Sequence, residues 1–150
     1  MKKFSFSLER VLTYKHQVED SYRSQHGQKL KQVKDKEKDI AALEEDYEAM
    51  KLRRSQLQGQ SVSVTALRLQ GQCMEAVVDR IHREQDTLKE LEAQAEQLRN
   101  QVVEAKQETE SIRILKDKKR QEYDYAAARA QEQELEEFVS NRASATQQAG

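Results

Sequence analysis

A single heptad register runs through most of the second half of the chain, and no compact globule accommodates a helix of that length. One core position of the repeat carries Leu67, Met74, Ile81, Leu88, Ala95, Val102, Thr109, Lys116, Tyr123 and Ala130. The other carries Gln70, Val77, Glu84, Leu91, Leu98, Ala105, Ile112, Lys119 and Ala126. That is about nine heptads, where roughly three or four already argue for a coiled coil. A helix of this kind buries one narrow stripe, and the composition is matched to that. The 150 residues are 35% charged and 36% hydrophobic, with no proline, no tryptophan and four glycines. A globule of similar length carries a larger apolar fraction and more turn residues, and a disordered chain lacks periodic apolar positions.

The first half reads the same way with a weaker stripe. Leu12, Glu19, His26, Val33, Ile40, Tyr47 and Arg54 form one core set, and Leu8, Lys15, Tyr22, Lys29, Lys36, Leu43, Met50 and Leu57 the other. The stripe is clean from Val33 onward and polar between Lys15 and Lys29, where Val11, Val18 and Leu30 lie beside the strict seam. Ser7 is the expected helix cap, Phe6 and Val11 stand at the spacing of a hydrophobic staple, and Glu9 sits in the first turn, where the helix dipole favours an anion. Gly59 is the stop signal, because a left-handed C-terminal cap is least costly for glycine. Between the periodic segments lies the small, polar stretch 58–65, with a helix restart possible at Ser61 or Ser63.

These features predict an all-α fold of two long helices, an antiparallel coiled-coil hairpin with a longer second helix. The expected single domain covers 1–142, with helix 1 at about 7–58, a loop at about 59–64, helix 2 at about 65–140 and a disordered tail at 143–150. Antiparallel pairing through this loop makes facing residue numbers sum to about 124. Met50 then faces Met74, Leu43 faces Ile81, Val33 faces Leu91 and Leu12 faces Ile112. Lys15 meets Thr109, and Lys36, opposite Leu88, lays its stem on the seam with its amine in water. Phe4 falls near Arg120, so the helix beyond has no partner in helix 1 and overhangs by roughly 25 to 30 Å.

Composition also excludes function classes. With 26 basic and 27 acidic residues the net charge is −1, which gives no electrostatic case for nucleic acid or an anionic membrane as partner. Cys73 is the only cysteine, which excludes an internal disulfide and suits a reducing compartment. The basic start meets Glu9 and Arg10 before an apolar run builds, so no signal peptide is expected. No segment approaches the roughly 20 apolar residues of a membrane span. The expected location is the cytoplasm.

No catalytic or metal constellation is visible. His16, His26 and His82 are not spaced as a ligand pair, and no second cysteine completes a zinc set. The carboxylates lie on solvated faces, and a two-helix rod offers no cleft that excludes water. No phosphate loop or nucleophile elbow is present, so neither enzymatic activity nor a cofactor is expected. The basic run Lys29 to Lys38 is interleaved with Asp35 and Glu37 and reads as a solvated face. Near the loop, Met74, Val77 and Ile81 belong to the seam, while Cys73 and Val78 lie off it and are candidates for partner contact.

The residues Phe4, Leu8, Val11, Leu12, Tyr14 and Lys15 resemble the opening of the FliJ family of bacterial flagellar export proteins. The stretch Leu115 to Tyr123, followed by the acidic Gln131 to Phe138, is similar to that family's C-terminal part. This resemblance implies a stalk-like, non-enzymatic component of the flagellar type III export apparatus, peripheral at the cytoplasmic face of the flagellar base. Its implied partners are the hexameric export ATPase, the cytoplasmic domain of the membrane export gate, and export chaperones. On this sequence, the end that enters the ATPase ring comprises Phe4, Leu8 and Leu12 with the overhang residues Arg120, Tyr123, Ala126, Arg129, Ala130, Glu132 and Glu136. A narrow helix with a mixed polar surface fits a ring pore without locking in it. The gate contact falls at the hairpin tip, on Gln70, Cys73, Met74, Val77, Val78 and Ile81. The competing readings are the equivalent stalk of a virulence-type secretion system, a homodimeric structural coiled coil, and a holdase-like chaperone. The hairpin has a direct test: Leu43→Cys with Ile81→Cys, in a Cys73→Ser background, crosslinks within one chain at high dilution. Crosslinks formed solely between chains contradict it.

Overall fold

The computed structural model describes residues 2–150 and consists of two helices. Helix α1 spans Glu9–Gln56, 48 residues, and α2 spans Val64–Gln148, 85 residues. The fold is an all-α helical hairpin in which the second helix is the longer. Among the described residues there is no strand, and no helix is long and apolar enough to cross a membrane.

The reversal between the helices is built from backbone chemistry. After Gln56 the chain tightens through hydrogen bonds from the Gln58 amide to the Ser55 carbonyl, 3.3 Å, and from the Gln60 amide to the Leu57 carbonyl, 3.2 Å. Gly59 then takes φ +88°, and among the described residues it alone has a positive φ. The space around Gly59 is open, but residues with a side chain rarely adopt this φ, so glycine is what lets α1 stop at this point. Helix α2 restarts on Ser63, whose Oγ accepts the Ala66 amide at 3.1 Å while its carbonyl accepts the Leu67 amide at 3.2 Å. Of the two serines the sequence offered, Ser63 is therefore the cap.

The start of α1 differs from the sequence reading. A turn closed by the Glu9 amide on the Phe6 carbonyl, 3.2 Å, precedes the helix, which begins at Glu9 rather than near Ser7. Leu12 is the inward-facing residue of the first turn, as the heptad places it, and Val11 lies beside the seam. Phe6 and Leu12 are 9% and 6% exposed, whereas Val11 is 39% exposed and does not staple. The far end differs too. The sequence reading ends helix 2 near 140 and leaves 143–150 irregular, but α2 continues to Gln148. Helix propagation needs only backbone bonds and good formers, not an apolar stripe. Ala143 and Ala145 supply the latter, and neither proline nor glycine intervenes before Gly150.

Two compact units can be distinguished. In the unit formed by Asp20–Val103, the buried side chains are Ile40, Met74, Ile81 and Ala95. Val33, Leu43, Tyr47, Met50, Val77, Leu88, Leu91 and Leu98 are half-buried around them. All of these are heptad positions, so the seam lies where the periodicity puts it. Arg54, a nominal seam residue, is exposed and rests a guanidinium nitrogen 4.0 Å from the Met74 sulfur. Lys36 does not lift its amine into water. It donates to the Glu84 carboxylate at 2.5 Å, and both side chains are only 23% exposed. Glu84 is itself a seam position, so the ion pair fills a polar layer.

The other unit comprises the chain up to Glu19 together with Glu104–Gly150. Phe6, Leu12, Ala105, Thr109 and Glu19 are its buried residues. Thr109, 2% exposed, donates its hydroxyl to the Ala105 carbonyl at 2.9 Å, which satisfies it inside the seam. Flanking pairs hold the two helices in register: Lys15 with Glu108 at 2.7 Å, Glu9 with Lys116 at 2.8 Å, and His16 with Arg113 at 3.3 Å.

The Lys36–Glu84 layer gives the fold a pH signature. The hydrogen bond from Lys36 holds the Glu84 carboxyl below its ordinary value of 4.5, and the same bond raises Lys36 above 10.5. A lowered acid contributes stability above its ordinary range and loses it as pH falls through the folded-state value; a raised lysine contributes below 10.5 and loses it at higher pH. Glu84→Gln therefore lowers the melting temperature at neutral pH, and the gap from the native chain closes near pH ~2. Circular-dichroism melts at both pH values measure this, and an equal gap at both contradicts a charge-based role for the layer.

Candidate partner-binding surfaces

The chain start is fastened to α2 by aromatic and cationic contacts. The rings of Phe4 and Tyr123 lie 5.5 Å apart at 57°, an edge-tilted geometry that aromatic quadrupoles favour. The Arg120 guanidinium stands 5.0 Å from the Phe4 centroid and 5.9 Å from that of Tyr123. The Tyr123 hydroxyl donates to the Lys2 carbonyl at 2.5 Å. Phe4 therefore meets Arg120, as the antiparallel register requires. Lys2, Lys3, Phe4, Phe6, Lys119 and Tyr123 line an open groove of about 570 Å³, with an aromatic floor and a lysine rim.

Beyond this fastening, α2 continues without α1 beside it. Every residue from Gln131 onward is exposed. Tyr125, Leu135, Phe138 and Val139 are each more than 60% exposed, and Arg129 lies 6.0 Å from the Tyr125 ring. Of the residues assigned to this end from sequence, Leu12 is buried and serves the fold. Arg120 pairs with Asp124 at 3.4 Å as well as stacking on Phe4. Leu8, Ala126, Arg129, Glu132 and Glu136 are exposed, Ala130 half-buried. Sequence reasoning took Phe138 as the end of the overhang without naming it as a contact residue, and passed over Val139, because both fall outside the heptad set. The spacing of Leu135 to Phe138 at i, i+3 and to Val139 at i, i+4 was the available signal.

At the hairpin tip, Met74 and Ile81 are buried, and Gln70, Val77 and Val78 are half-buried. Cys73 is exposed. Leu43, Met50, Ala76 and Val77 line a groove of about 460 Å³ on one side of this region. Tyr47, Gly71, Met74 and Val78 line one of about 340 Å³ on another. Gly71 has no atom within 4 Å of where a Cβ would sit, so a side chain there fits. Leu52 and Leu69, 62% and 61% exposed, were not singled out from sequence and add apolar surface near the tip. Among the described residues no group of three or more acidic, histidine or cysteine side chains is arranged to hold a metal ion.

The fold defines the chain as an all-α helical hairpin with open grooves and exposed apolar side chains. The family model described as "Flagellar FliJ protein" matches residues 4–148. The chain belongs to the FliJ family, a family of stalk-type structural proteins, and is a component of the flagellar type III protein export apparatus. No curated protein and no solved structure gave a significant match.

The fastening has a local consequence. Phe4→Ala removes the ring pair and one cation–π contact, together worth about 1 kcal/mol, or about fivefold in an opening equilibrium. Amide exchange at Glu9, whose N–H bonds the Phe6 carbonyl, accelerates by about that factor. Exchange around Ile40 and Ile81 stays unchanged. Equal acceleration at both places would mean that Phe4 supports the whole fold.

Proposed function

We propose that this protein acts as a stalk-like coupling component of the export apparatus, on its cytoplasmic side, binding the hexameric export ATPase through the end that holds the chain start and the unpaired part of α2. The observation that carries this reading is the exposed side-chain set on α2 beyond Tyr123. Tyr125, Leu135, Phe138 and Val139 remain more than 60% exposed, although an isolated helix gains little from leaving them in water. Around them Arg129, Glu132 and Glu136 make a mixed-charge surface. Several weak polar contacts suit a stalk that holds its place yet shifts between neighbouring ring subunits.

The tip supports a second contact, with the export gate. Cys73, Leu69 and the half-buried Val77 and Val78 offer apolar surface, while Met74 and Ile81 beneath them keep the helices together. Contact with export chaperones belongs to the same reading and rests on the family membership alone.

Truncation after Asp124 tests the ATPase contact, because it spares Phe4, Arg120 and Tyr123 and all of α1. The shortened chain keeps its melting temperature to within about 5 °C and no longer stimulates the ATPase. Stimulation equal to that of the full chain would remove this end as the coupling element.

A further inference from the structure

The lysine-rimmed groove at the chain start and the acidic stretch further along α2 are complementary, and one chain cannot bring its own two together. Lys2 and Lys3 are exposed and make no ion pair among the described residues. With Lys119 they edge a groove floored by Phe4 and Tyr123. On α2, residues that follow Tyr123 at helical spacing are Ala127, Ala130, Glu134, Glu137 and Phe138. They continue the same side of the helix after α1 has ended. Glu134, Glu137 and Phe138 are exposed, so an aromatic ring sits next to two carboxylates on a face without α1 beside it. The distance from Lys119 to Glu134 along the axis is about 22 Å. Both lie in one continuous helix, Val64–Gln148, which keeps the patches apart within a chain.

We propose that this groove receives the Glu134–Phe138 stretch of a second copy of the chain. Laid antiparallel, two α2 segments place each acidic stretch against the other's groove at the same time. The arrangement closes as a twofold pair centred near Ala128 and leaves no open end for further addition. Phe138 covers Phe4 and Tyr123, while Glu134 and Glu137 face Lys2 and Lys3. Ala127 and Ala130, at the centre of the face, let the two backbones approach closely. The lysine–carboxylate pairs supply most of the attraction, and the aromatic contact fixes the register. Because the pairing covers Phe4 and Tyr123, a paired copy withholds the end assigned above to the ATPase. That consequence rests on the functional reading, whereas the pairing itself does not.

The test is the solution mass of the full chain by sedimentation equilibrium, with circular dichroism on every variant. The expected mass exceeds the 17.5 kDa of one chain, rises with concentration, and falls back in about 1 M salt, where the screening length is ~3 Å. Lys2→Glu with Lys3→Glu weakens the pairing on the order of tenfold, and so does Glu134→Lys with Glu137→Lys. Mixing the two variants restores it, because each reversed groove then meets a reversed stretch. A single-chain mass at every concentration overturns the proposal. So does a dimer indifferent to both reversals, or a mixture that fails to recover.

Discussion

Everything in this molecule depends on a seam one side chain deep. Two helices meet along a stripe that supplies about two residues per heptad from each, and nothing lies behind that stripe. Burial reaches single-digit exposure only at scattered positions such as Leu12, Ile40, Met74, Ile81, Ala95 and Ala105. No residue can draw on a thick interior, so each layer must satisfy itself. Thr109 does so by bonding back to its own helix, and Lys36 and Glu84 by bonding to each other. A high charge content is therefore compatible with a defined fold, because the long aliphatic stems of lysine and glutamate cover the seam's edges while their heads reach water or one another.

That economy leaves the outward surface to carry function. The Phe4–Arg120–Tyr123 contact ties the chain start to α2, and from there α2 proceeds alone with its apolar side chains in solvent. At the tip the same division appears within single turns of helix: Met74 is buried while its neighbour Cys73 is exposed. Both regions present open, shallow grooves. Membership of the FliJ family places the chain in flagellar export.

Much of this was legible in the sequence, and the reason is periodicity. A repeat of 3.5 residues states which side chains face inward, and the antiparallel register follows from where Gly59 interrupts it. Phe4 meets Arg120 for that reason. What stayed hidden depends on choices that periodicity does not govern. Whether Lys36 points to water or to Glu84 is decided by a side chain one turn away on the other helix. Whether helix persists past 140 is decided by backbone propensity, to which a heptad count is blind. The staple between Phe6 and Val11 was misread because a turn precedes the helix and Ser7 does not cap it, so the pair's spacing no longer matches that motif. The tip residues Leu52 and Leu69 escaped notice because an isolated exposed leucine has no sequence signature of its own.

The turn at Gly59 also sets an order of events for folding. Contacts beside the turn join residues close in sequence, as Arg54 and Met74 are at a separation of 20. The separation widens with every layer until the Tyr123 hydroxyl reaches the Lys2 carbonyl across 121 residues. Closing a short loop costs less conformational entropy than closing a long one, and each closed layer shortens the loop that the next must close. The hairpin therefore zips from Gly59 toward the chain start, and the Phe4–Tyr123 contact is the last to form and the first to part.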